Sequence, residues 1–328
     1  MPLSRAAPLV RDRSPRRPDN LRGLLMMALA FFLFAAADTQ AKFLTGSFHP
    51  MQIVWTRQLG LLAGVLVLLM LKGPSILKTN RPGLQVLRGV LAVFSATAFI
   101  FALRYVPLAD AVAVSFVAPF MVTVMGALFL GEKVGIRRWS AVTIGFVGTL
   151  VVIRPGLGVV HPAVFLVAAA ATAFALRQVL SRVLAASDRT ATTVAYTSIA
   201  SIVLLSLPLP FIWKTPEATW EIAPFVGMAI CAALGELLVI RALEVTQAIV
   251  LAPVHYSMII WGTFYGWLVF DQLPDRWTWL GAAIIVATGL YIMHREWQLA
   301  RIGRAAASAE PGPDHDGNPC LQQPRERL

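Results

Sequence analysis

The chain has 328 residues and a formal net charge of +11, yet only 14% of its residues are charged and 57% are hydrophobic. This composition excludes an ordinary soluble domain, which has about 45–50% apolar and about 25% charged residues. It also argues against a nucleic-acid partner, because the Lys and Arg residues stand mainly in the tails and at the ends of long apolar runs, where they orient membrane helices.

Ten apolar runs follow one another along the chain, separated by short polar segments. Such runs are typical of transmembrane helices, which satisfy their own backbone hydrogen bonds in lipid. The first run also fits a signal peptide, since a basic segment precedes it and three alanines lie near its end. The sequence predicts an all-α polytopic membrane protein with ten transmembrane helices, at residues 22–44, 50–71, 84–104, 108–130, 139–155, 162–184, 191–213, 222–241, 247–270 and 277–294.

One unit occurs twice in the chain. The stretch from Arg104 to Gly156 has a diverged copy from Arg241 to Glu296, in which Arg104 and Arg241 are 137 positions apart. This pattern predicts a duplication, with a first repeat at residues 22–155 and a second at 162–297. Outside the repeats, residues 1–21 form a basic tail and residues 298–328 a polar tail, and both are predicted to be disordered.

The basic residues predict how the two repeats cross the membrane. The two tails and alternate loops, at 72–83, 131–138 and 185–190, are richer in Lys and Arg than the remaining loops, which places both termini in the cytoplasm. The turn GEKVGIRR has three basic residues, whereas its copy FDQLPDR has one. Five helices per repeat is an odd number, so the second repeat should insert upside down. The predicted architecture is therefore a 5+5 inverted-topology repeat.

Inverted repeats are typical of secondary transporters, in which one half rocks against the other around a site near the middle of the bilayer. The sequence contains no glycine-rich phosphate loop, and its five histidines and two cysteines show no metal-ligand or catalytic spacing. We therefore predict no enzyme activity, no cofactor and no metal. A membrane-embedded enzyme would need polar residues that converge at one depth, and a channel would need a ring of similar polar groups.

Four segments resemble the drug/metabolite transporter superfamily in its EamA branch: ALRYVPLADA at 102–111, Ala118-Pro119-Phe120, LGEK at 130–133, and RRW at 137–139 leading to Arg154-Pro155-Gly156. The resemblance covers about residues 22–297, although the second copy has Phe270-Asp271 where the family usually has Gly-Glu. It implies a bacterial inner-membrane carrier of a small organic metabolite, similar to riboflavin and S-adenosylmethionine uptake transporters. Riboflavin-like uptake is the first hypothesis, and S-adenosylmethionine uptake or metabolite export is the alternative.

Charged residues inside the predicted spans are functional candidates, because a charge in lipid is costly. Asp38 and Arg57 lie at the same estimated depth on the first two helices, so we predict that they pair. Arg177 and Glu236 lie level on the sixth and eighth helices and form a second predicted pair. Either pair could bind substrate or gate the transporter, or could simply neutralise two charges and hold helices together.

Other basic residues lie nearer the helix ends. We expect Lys42 and Arg88 to extend to the membrane surface along their aliphatic stems. Arg104, Arg154 and Arg241 are expected to be interfacial anchors on the same reasoning.

Two prolines occupy equivalent positions in the fourth and ninth predicted helices, at Pro119 and Pro253. A proline inside a helix leaves a backbone carbonyl without its donor and can kink the helix, which exposes polar backbone to a substrate. His255 could couple transport to protons, or could form a hydrogen bond between helices. Phe116 and Tyr256 could stack on a planar ligand, or could face lipid or neighbouring helices.

The glycines at 145, 148, 281 and 289 allow helices to approach closely, either within one chain or at a homodimer interface. The predicted partners are therefore membrane lipid, a small-molecule substrate and, as one interpretation of these glycines, a second copy of the chain.

Overall fold

The computed structural model describes residues 20–131, 135–154, 161–185, 187–246 and 248–309, and every regular element in these ranges is a helix. The first half contains α1 (Asn20–Leu44), α2 (Pro50–Lys72), a 3-10 turn (Pro74–Leu77), α3 (Pro82–Leu103), α4 (Leu108–Ser115), α5 (Ala118–Leu130) and α6 (Ile136–Ile153). The second half contains α7 (Val164–Ala185), α8 (Thr190–Ser206), α9 (Leu209–Ile212), α10 (Thr219–Val245), α11 (Ala248–Leu251), a 3-10 segment (Ala252–Tyr256), α12 (Ser257–Phe270) and α13 (Arg276–Ala309).

The predicted apolar runs coincide with these helices, with two differences at the ends. The run predicted at 191–213 stops being one helix after Ser206, because Pro208 interrupts it before the short α9, in whose first turn Pro210 stands. The last helix continues to Ala309, which is inside the tail that the sequence predicted to be disordered. Residues 1–19, most of the turn with Glu132 and Lys133, and residues 310–328 lie outside the described residues.

Within the described residues, six helical segments are long and apolar enough to cross a membrane. They are Asn20–Leu44, Pro82–Leu103, Leu108–Leu130, Val164–Ala185, Thr219–Leu243 and Arg276–Arg295. Two shorter apolar helices occur at Trp139–Ile153 and Ala191–Ser206. The chain is therefore an all-helical polytopic membrane protein, and the count of ten crossings stays a prediction.

Both predicted kinks are helix breaks. The fourth predicted helix divides into α4 and α5 around Phe116 and Val117, and Pro119 stands in the first turn of α5. A proline suits that position because the first N–H groups of a helix have no intrahelical acceptor. Since Pro119 has no N–H, the carbonyl of Ser115 loses the donor that an unbroken helix would supply. The ninth predicted helix breaks in the same manner at Pro253, in the 3-10 segment.

The packing of the helices follows the duplication, in which α1, α2 and α3 correspond to α7, α8 and α10, and α5 and α6 correspond to α12 and α13. α1 packs on α10, and its counterpart α7 packs on α3; α2 also packs on α10, and its counterpart α8 packs on α3. α1 also contacts α12 as α7 contacts α5, while α2 with α8, α6 with α13, and α4 with α12 pair across the two halves. Exchanging the two halves therefore reproduces the packing pattern, which is the arrangement that a duplicated unit produces.

The glycines predicted to allow close approach are used within the chain. A Cβ added at Gly281 would lie 2.6 Å from the carbonyl oxygen of Gly148, so α6 and α13 meet backbone to backbone. Gly145 faces the ring of Phe120, and Gly289 faces the hydroxyl of Tyr256. These positions pack helices together inside one chain, so they give no support to a homodimer interface.

Candidate functional site

The predicted pair between Asp38 and Arg57 is confirmed. Arg57 Nη1 donates to Asp38 Oδ1 at 2.6 Å and joins α1 to α2. The Asp38 side chain is only 6% exposed, and that of Arg57 is 21% exposed. Each group neutralises the other inside the bundle, where an isolated charge would be costly.

The second predicted pair is wrong as a direct contact. Among the described residues, Arg177 and Glu236 form no ion pair, although they lie within electrostatic range of each other. The guanidinium of Arg177 instead lies over the ring of Phe174, one turn earlier in α7, with Cζ 4.7 Å from the ring centroid. Equal depth along two helices therefore does not by itself bring two side chains into contact. Here α7 packs on α3, α4 and α5, whereas α10 packs on α1 and α2.

Arg88 lies beside this group and does not extend to the membrane surface as expected. Its Nε donates to Ser181 Oγ at 2.8 Å, and its Nη1 donates to the hydroxyl of Thr197 and to the carbonyl of Thr193 at 3.4 Å. These bonds join α3 to α7 and α8. Ser181 is four residues after Arg177 on α7, so Arg88 and Arg177 lie near each other in the bundle.

Lys42 also turns inward rather than toward the membrane surface. Its Nζ donates to the carbonyl of Val106 at 2.6 Å and lies over the ring of Phe270 at 5.2 Å from the centroid. The lysine thereby ties the end of α1 to the loop before α4 and to the end of α12. Sequence reasoning missed this contact because the acceptor is a backbone carbonyl.

At the same end of the bundle, Arg154 pairs with Asp275 at 2.7 Å and joins the end of α6 to the segment before α13, while its expected place at the membrane interface stays a prediction. Asp275 also accepts a hydrogen bond from the backbone N–H of Thr278 at 2.8 Å and caps the start of α13. Partial burial opposes the charge of Asp275, but the bonds from Thr278 and Arg154 outweigh it and hold the pKa of the carboxyl below its usual range.

The opposite end is held by Asp188, in the loop between α7 and α8. The hydroxyl of Thr79 and the amide of Gln85 both donate to Asp188 Oδ2, the latter at 2.7 Å, and the backbone N–H of Asn80 donates to Oδ1. These bonds stabilise the charged form and hold the pKa of Asp188 below its usual range. They join a loop of the second half to the start of α3 in the first half.

The two helix breaks meet at a group of rings. Phe116, beside the break in the first half, stacks on Tyr256 of the 3-10 segment with centroids 5.1 Å apart. The ring of His255 contacts Phe116 at 5.4 Å and Phe31 of α1 at 4.6 Å, both edge to face. Phe116 is buried, Pro253 is half-buried and His255 keeps exposed surface. Pro119 is exposed as well.

This ring group lies near the Asp38–Arg57 pair. Phe31 and Asp38 are seven residues apart on α1, which puts them on one face of the helix and about 10 Å apart along its axis. Other aromatic residues have structural partners: Trp261 and Tyr265 contact Phe32 at 5.1 Å and 5.5 Å. The predicted site residues thus fall into two regions, the ring group with Asp38 and Arg57, and the region of Arg177 and Glu236.

Comparison with known proteins agrees with the duplication and the helical bundle. The chain matches the EamA-like transporter family twice, over residues 21–154 and 161–293. A solved crystal structure superimposes with a TM-score of 0.60 at 18% identity and covers 84% of this chain and 98% of its own. That likeness shows the fold.

Two curated relatives are transporters by name. An S-adenosylmethionine uptake transporter of Rickettsia felis is 26% identical over 277 residues, which cover 84% of this chain and 94% of the relative. A riboflavin transporter of Vibrio cholerae is 30% identical over 295 residues, which cover 88% of this chain and 98% of the relative. These relatives and the apolar helices identify a multi-pass inner-membrane transporter of a small molecule rather than an enzyme. The chain belongs to the EamA-like transporter family of the drug/metabolite transporter superfamily.

Proposed function

We propose that this protein is a secondary-active carrier that moves a small organic metabolite by alternating access. In this proposal the chain crosses the membrane ten times in two inverted halves, with both termini in the cytoplasm. The loop charges support the orientation, and the exchange-related helix pairs support the two halves. The sequence has no ATP-binding motif, so the energy would come from an ion gradient, from exchange, or from the gradient of the substrate.

The observation that carries the proposal is the meeting of the two helix breaks. Broken helices near the middle of a transporter expose backbone polar groups to a cavity and allow one part of the helix to move relative to the other. Phe116 and Tyr256 stand beside the two breaks and stack on each other. In the proposed mechanism the rings bind a planar part of the substrate, and Pro119 and Pro253 fix the positions of the breaks. His255 exchanges a proton with water in the proposed cavity.

Asp38 and Arg57 have a different role in this mechanism. Their ion pair joins α1 to α2 on the face of α1 that also carries Phe31. A pair of opposite charges can exist in one transport state and separate in another only if water or substrate replaces the lost contact. We propose that the pair holds α1 and α2 together while the ring group adapts to the substrate.

Two substrates are the first to test, riboflavin and S-adenosylmethionine, since relatives with these names are 30% and 26% identical. Growth rescue of bacteria that require external riboflavin, and separately of bacteria that require S-adenosylmethionine, would identify uptake directly. The control is Tyr256→Ala, because Tyr256 is half-buried whereas Phe116 is buried in the core; this variant should reach the membrane in normal amount but support growth poorly.

Counterflow in proteoliposomes tests the transport reaction itself. Vesicles loaded with one unlabelled metabolite should accumulate the labelled form of the same metabolite, and protein-free vesicles should not. Chemical conversion of the metabolite without any accumulation would contradict the proposal and favour an enzyme.

A further inference from the structure

Tyr256 belongs to the proposed substrate site, yet its backbone lies in an irregular segment. The 3-10 segment Ala252–Tyr256 separates α11 from α12, and a 3-10 stretch inside a longer helix often marks a hinge. The backbone alone therefore does not fix the ring of Tyr256. Its hydroxyl group makes no hydrogen bond within the described part of the chain, so packing contacts have to hold the ring in place.

One of these contacts is a very close approach to α13. A Cβ atom built on Gly289 would lie 1.6 Å from the hydroxyl oxygen of Tyr256, 2.4 Å from Cζ and 3.2 Å from Cε1. Real Cβ atoms essentially never come closer than 3.0 Å to such a neighbour. The end of the tyrosine ring thus occupies the volume that the side chain of any other residue at position 289 would need. We call this place the Gly289 notch.

The notch belongs to a helix that is tightly packed. Eight residues before Gly289, a Cβ added at Gly281 would lie 2.6 Å from the carbonyl oxygen of Gly148 on α6, and Ile285 between the two glycines of α13 is fully buried. Contact between two backbones leaves little room for α13 to shift toward α6. A methyl group at position 289 would therefore force the hydroxyl of Tyr256 to move, by at least about 1.4 Å.

A second neighbour of the Tyr256 ring is Phe116. The two rings stack with centroids 5.1 Å apart and planes inclined by 24°. Phe116 is buried and also contacts the ring of His255, so it cannot easily follow a displaced tyrosine. Gly289 and Phe116 together determine where the aromatic surface of Tyr256 stands between the two helix breaks.

The equivalent glycine of the first half has different neighbours. Gly148 is the counterpart of Gly289, 141 positions earlier, but a Cβ added there would meet Ile284 at 2.9 Å and Ile285 at 3.1 Å rather than an aromatic ring. The notch is thus a property of the second half and not of the duplicated frame.

We propose that Gly289 is a positioning residue, which holds the ring of Tyr256 in the orientation in which that ring receives a planar part of the substrate. The inference rests on the proposed function and deepens it, because it names a residue that sets the selectivity of the ring group for planar compounds. Gly289 acts only through Tyr256 and needs no contact with the substrate. A larger residue would turn the ring out of the stack, and the aromatic contribution to binding would be lost.

The experiment measures counterflow by the full-length protein in proteoliposomes, with riboflavin and S-adenosylmethionine as probes. Gly289→Ala should raise the KM of the exchanged compound about three- to tenfold, which is the range of one aromatic contact, and should leave the maximal rate within about twofold. Tyr256→Ala should raise the KM by a similar factor. The double variant should be no worse than Tyr256→Ala alone, because the added Cβ then has no ring to displace.

The matched control is Gly89→Ala on α3. Its added Cβ would meet the side chain of Ala200 on α8 at 2.5 Å, so it disturbs helix packing without touching Tyr256. It should lower the Tm but change the KM by less than about twofold. Its effect on the Tm should be the same with and without Tyr256→Ala.

Fluorine NMR of protein that contains fluorotyrosine reports the position of the ring independently of transport. The chain has five tyrosines, and Tyr256→Phe identifies the resonance of Tyr256 by its loss. Gly289→Ala should move that resonance and leave the resonance of Tyr196, on α8, in place. Gly89→Ala should leave the Tyr256 resonance in place.

Three results would overturn the inference. If Gly289→Ala raises the KM by the same factor with and without Tyr256→Ala, the glycine acts through helix packing alone, although transport stands. If the Tyr256 resonance keeps its position in Gly289→Ala, the notch does not hold the ring. If the wild-type protein exchanges neither probe, the proposed uptake of these compounds and the inference that rests on it are both wrong.

The folding of the variants gives a further decision. If Gly289→Ala does not fold, the double variant with Tyr256→Ala should fold again, because the clash with the ring has been removed. Recovery of a folded protein would support the notch. Failure of both variants would show that α13 needs the glycine for its own packing, and the inference would be wrong.

Discussion

Asp38 and Arg177 occupy equivalent places in the two halves, 139 positions apart, yet they have opposite charges and different surroundings. Asp38 is buried and bonded to Arg57, whereas Arg177 rests on Phe174 and has no hydrogen-bond partner for its side chain in the described part of the chain. The charge of Asp38 is therefore neutralised inside the protein, whereas that of Arg177 is not. The two halves share one arrangement of helices, and divergence at this position gave its residues different surroundings.

The largest loss in the free energy of unfolding is expected for a substitution of Asp38. Asp38→Asn leaves the guanidinium of Arg57 without its counter-charge, and we expect a loss of about 3 kcal/mol in the free energy of unfolding. Arg57 keeps part of its surface exposed, which places the value at the lower end for a broken buried pair. Unfolding in a mild detergent with increasing denaturant measures it, and a loss below about 1 kcal/mol would show that the pair contributes little.

A smaller loss in the free energy of unfolding is expected at Arg88, which lies near Arg177 but has hydrogen-bond acceptors. Arg88→Met removes the donor from Ser181, Thr197 and the Thr193 carbonyl and should cost about 1 to 2 kcal/mol. The same unfolding assay measures it. An unchanged free energy of unfolding would mean that the hydrogen bonds of Arg88 contribute little to stability, and the contrast between Arg88 and Arg177 would disappear.

Acid should loosen the end of the bundle at which Asp188 joins the two halves. The pKa of Asp188 is lower in the folded protein than in the unfolded chain, so its stabilising contribution is complete above the unfolded value of about 3.9 and disappears as the pH falls through the folded pKa. The hydrogen-exchange protection factors of the Thr79–Gln85 segment, which are corrected for the intrinsic exchange rate at each pH, should fall as the pH drops below about 4. In Asp188→Asn the fall that this group causes should be absent, and an identical profile in both proteins would contradict the assignment.

The smallest effect on stability is expected at Arg177. Arg177→Met keeps an unbranched side chain over Phe174 and removes a charge that has no partner, so the free energy of unfolding should change by less than about 1 kcal/mol or should increase. A loss as large as that of Asp38→Asn would mean that Arg177 is a structural residue, and the contrast between the two halves would disappear.

The sequence predicted the parts of this arrangement that depend on position along a helix. Depth along α1 and α2 was enough to pair Asp38 with Arg57, because the long arginine side chain reaches across although the two helices barely touch and both pack on α10. The prolines at 119 and 253 predicted the breaks, since the missing N–H acts locally. Depth was not enough for Arg177 and Glu236, whose helices are not consecutive and pack on different neighbours.

The inward turns of Arg88 and Lys42 were also beyond sequence reasoning. Each interacts with hydroxyl or carbonyl groups at a large separation along the chain, such as Ser181 for Arg88 and the Val106 carbonyl for Lys42. Serines, threonines and backbone carbonyls are numerous in every helix, so no pattern indicates which of them will accept a particular bond. The only signal in the sequence was the distance of Arg88 from the start of its helix. That distance allows the side chain to extend to the membrane surface or to turn into the bundle.

A pair of double-mutant cycles, measured as unfolding free energies in one detergent, tests the central contrast most directly. One cycle combines Asp38→Asn with Arg57→Gln, and the other combines Arg177→Gln with Glu236→Gln. We expect a coupling energy of about 1 to 2 kcal/mol for the first cycle and below about 0.5 kcal/mol for the second. Equal coupling energies in both cycles would contradict the contrast, because Arg177 and Glu236 would then interact as strongly as Asp38 and Arg57.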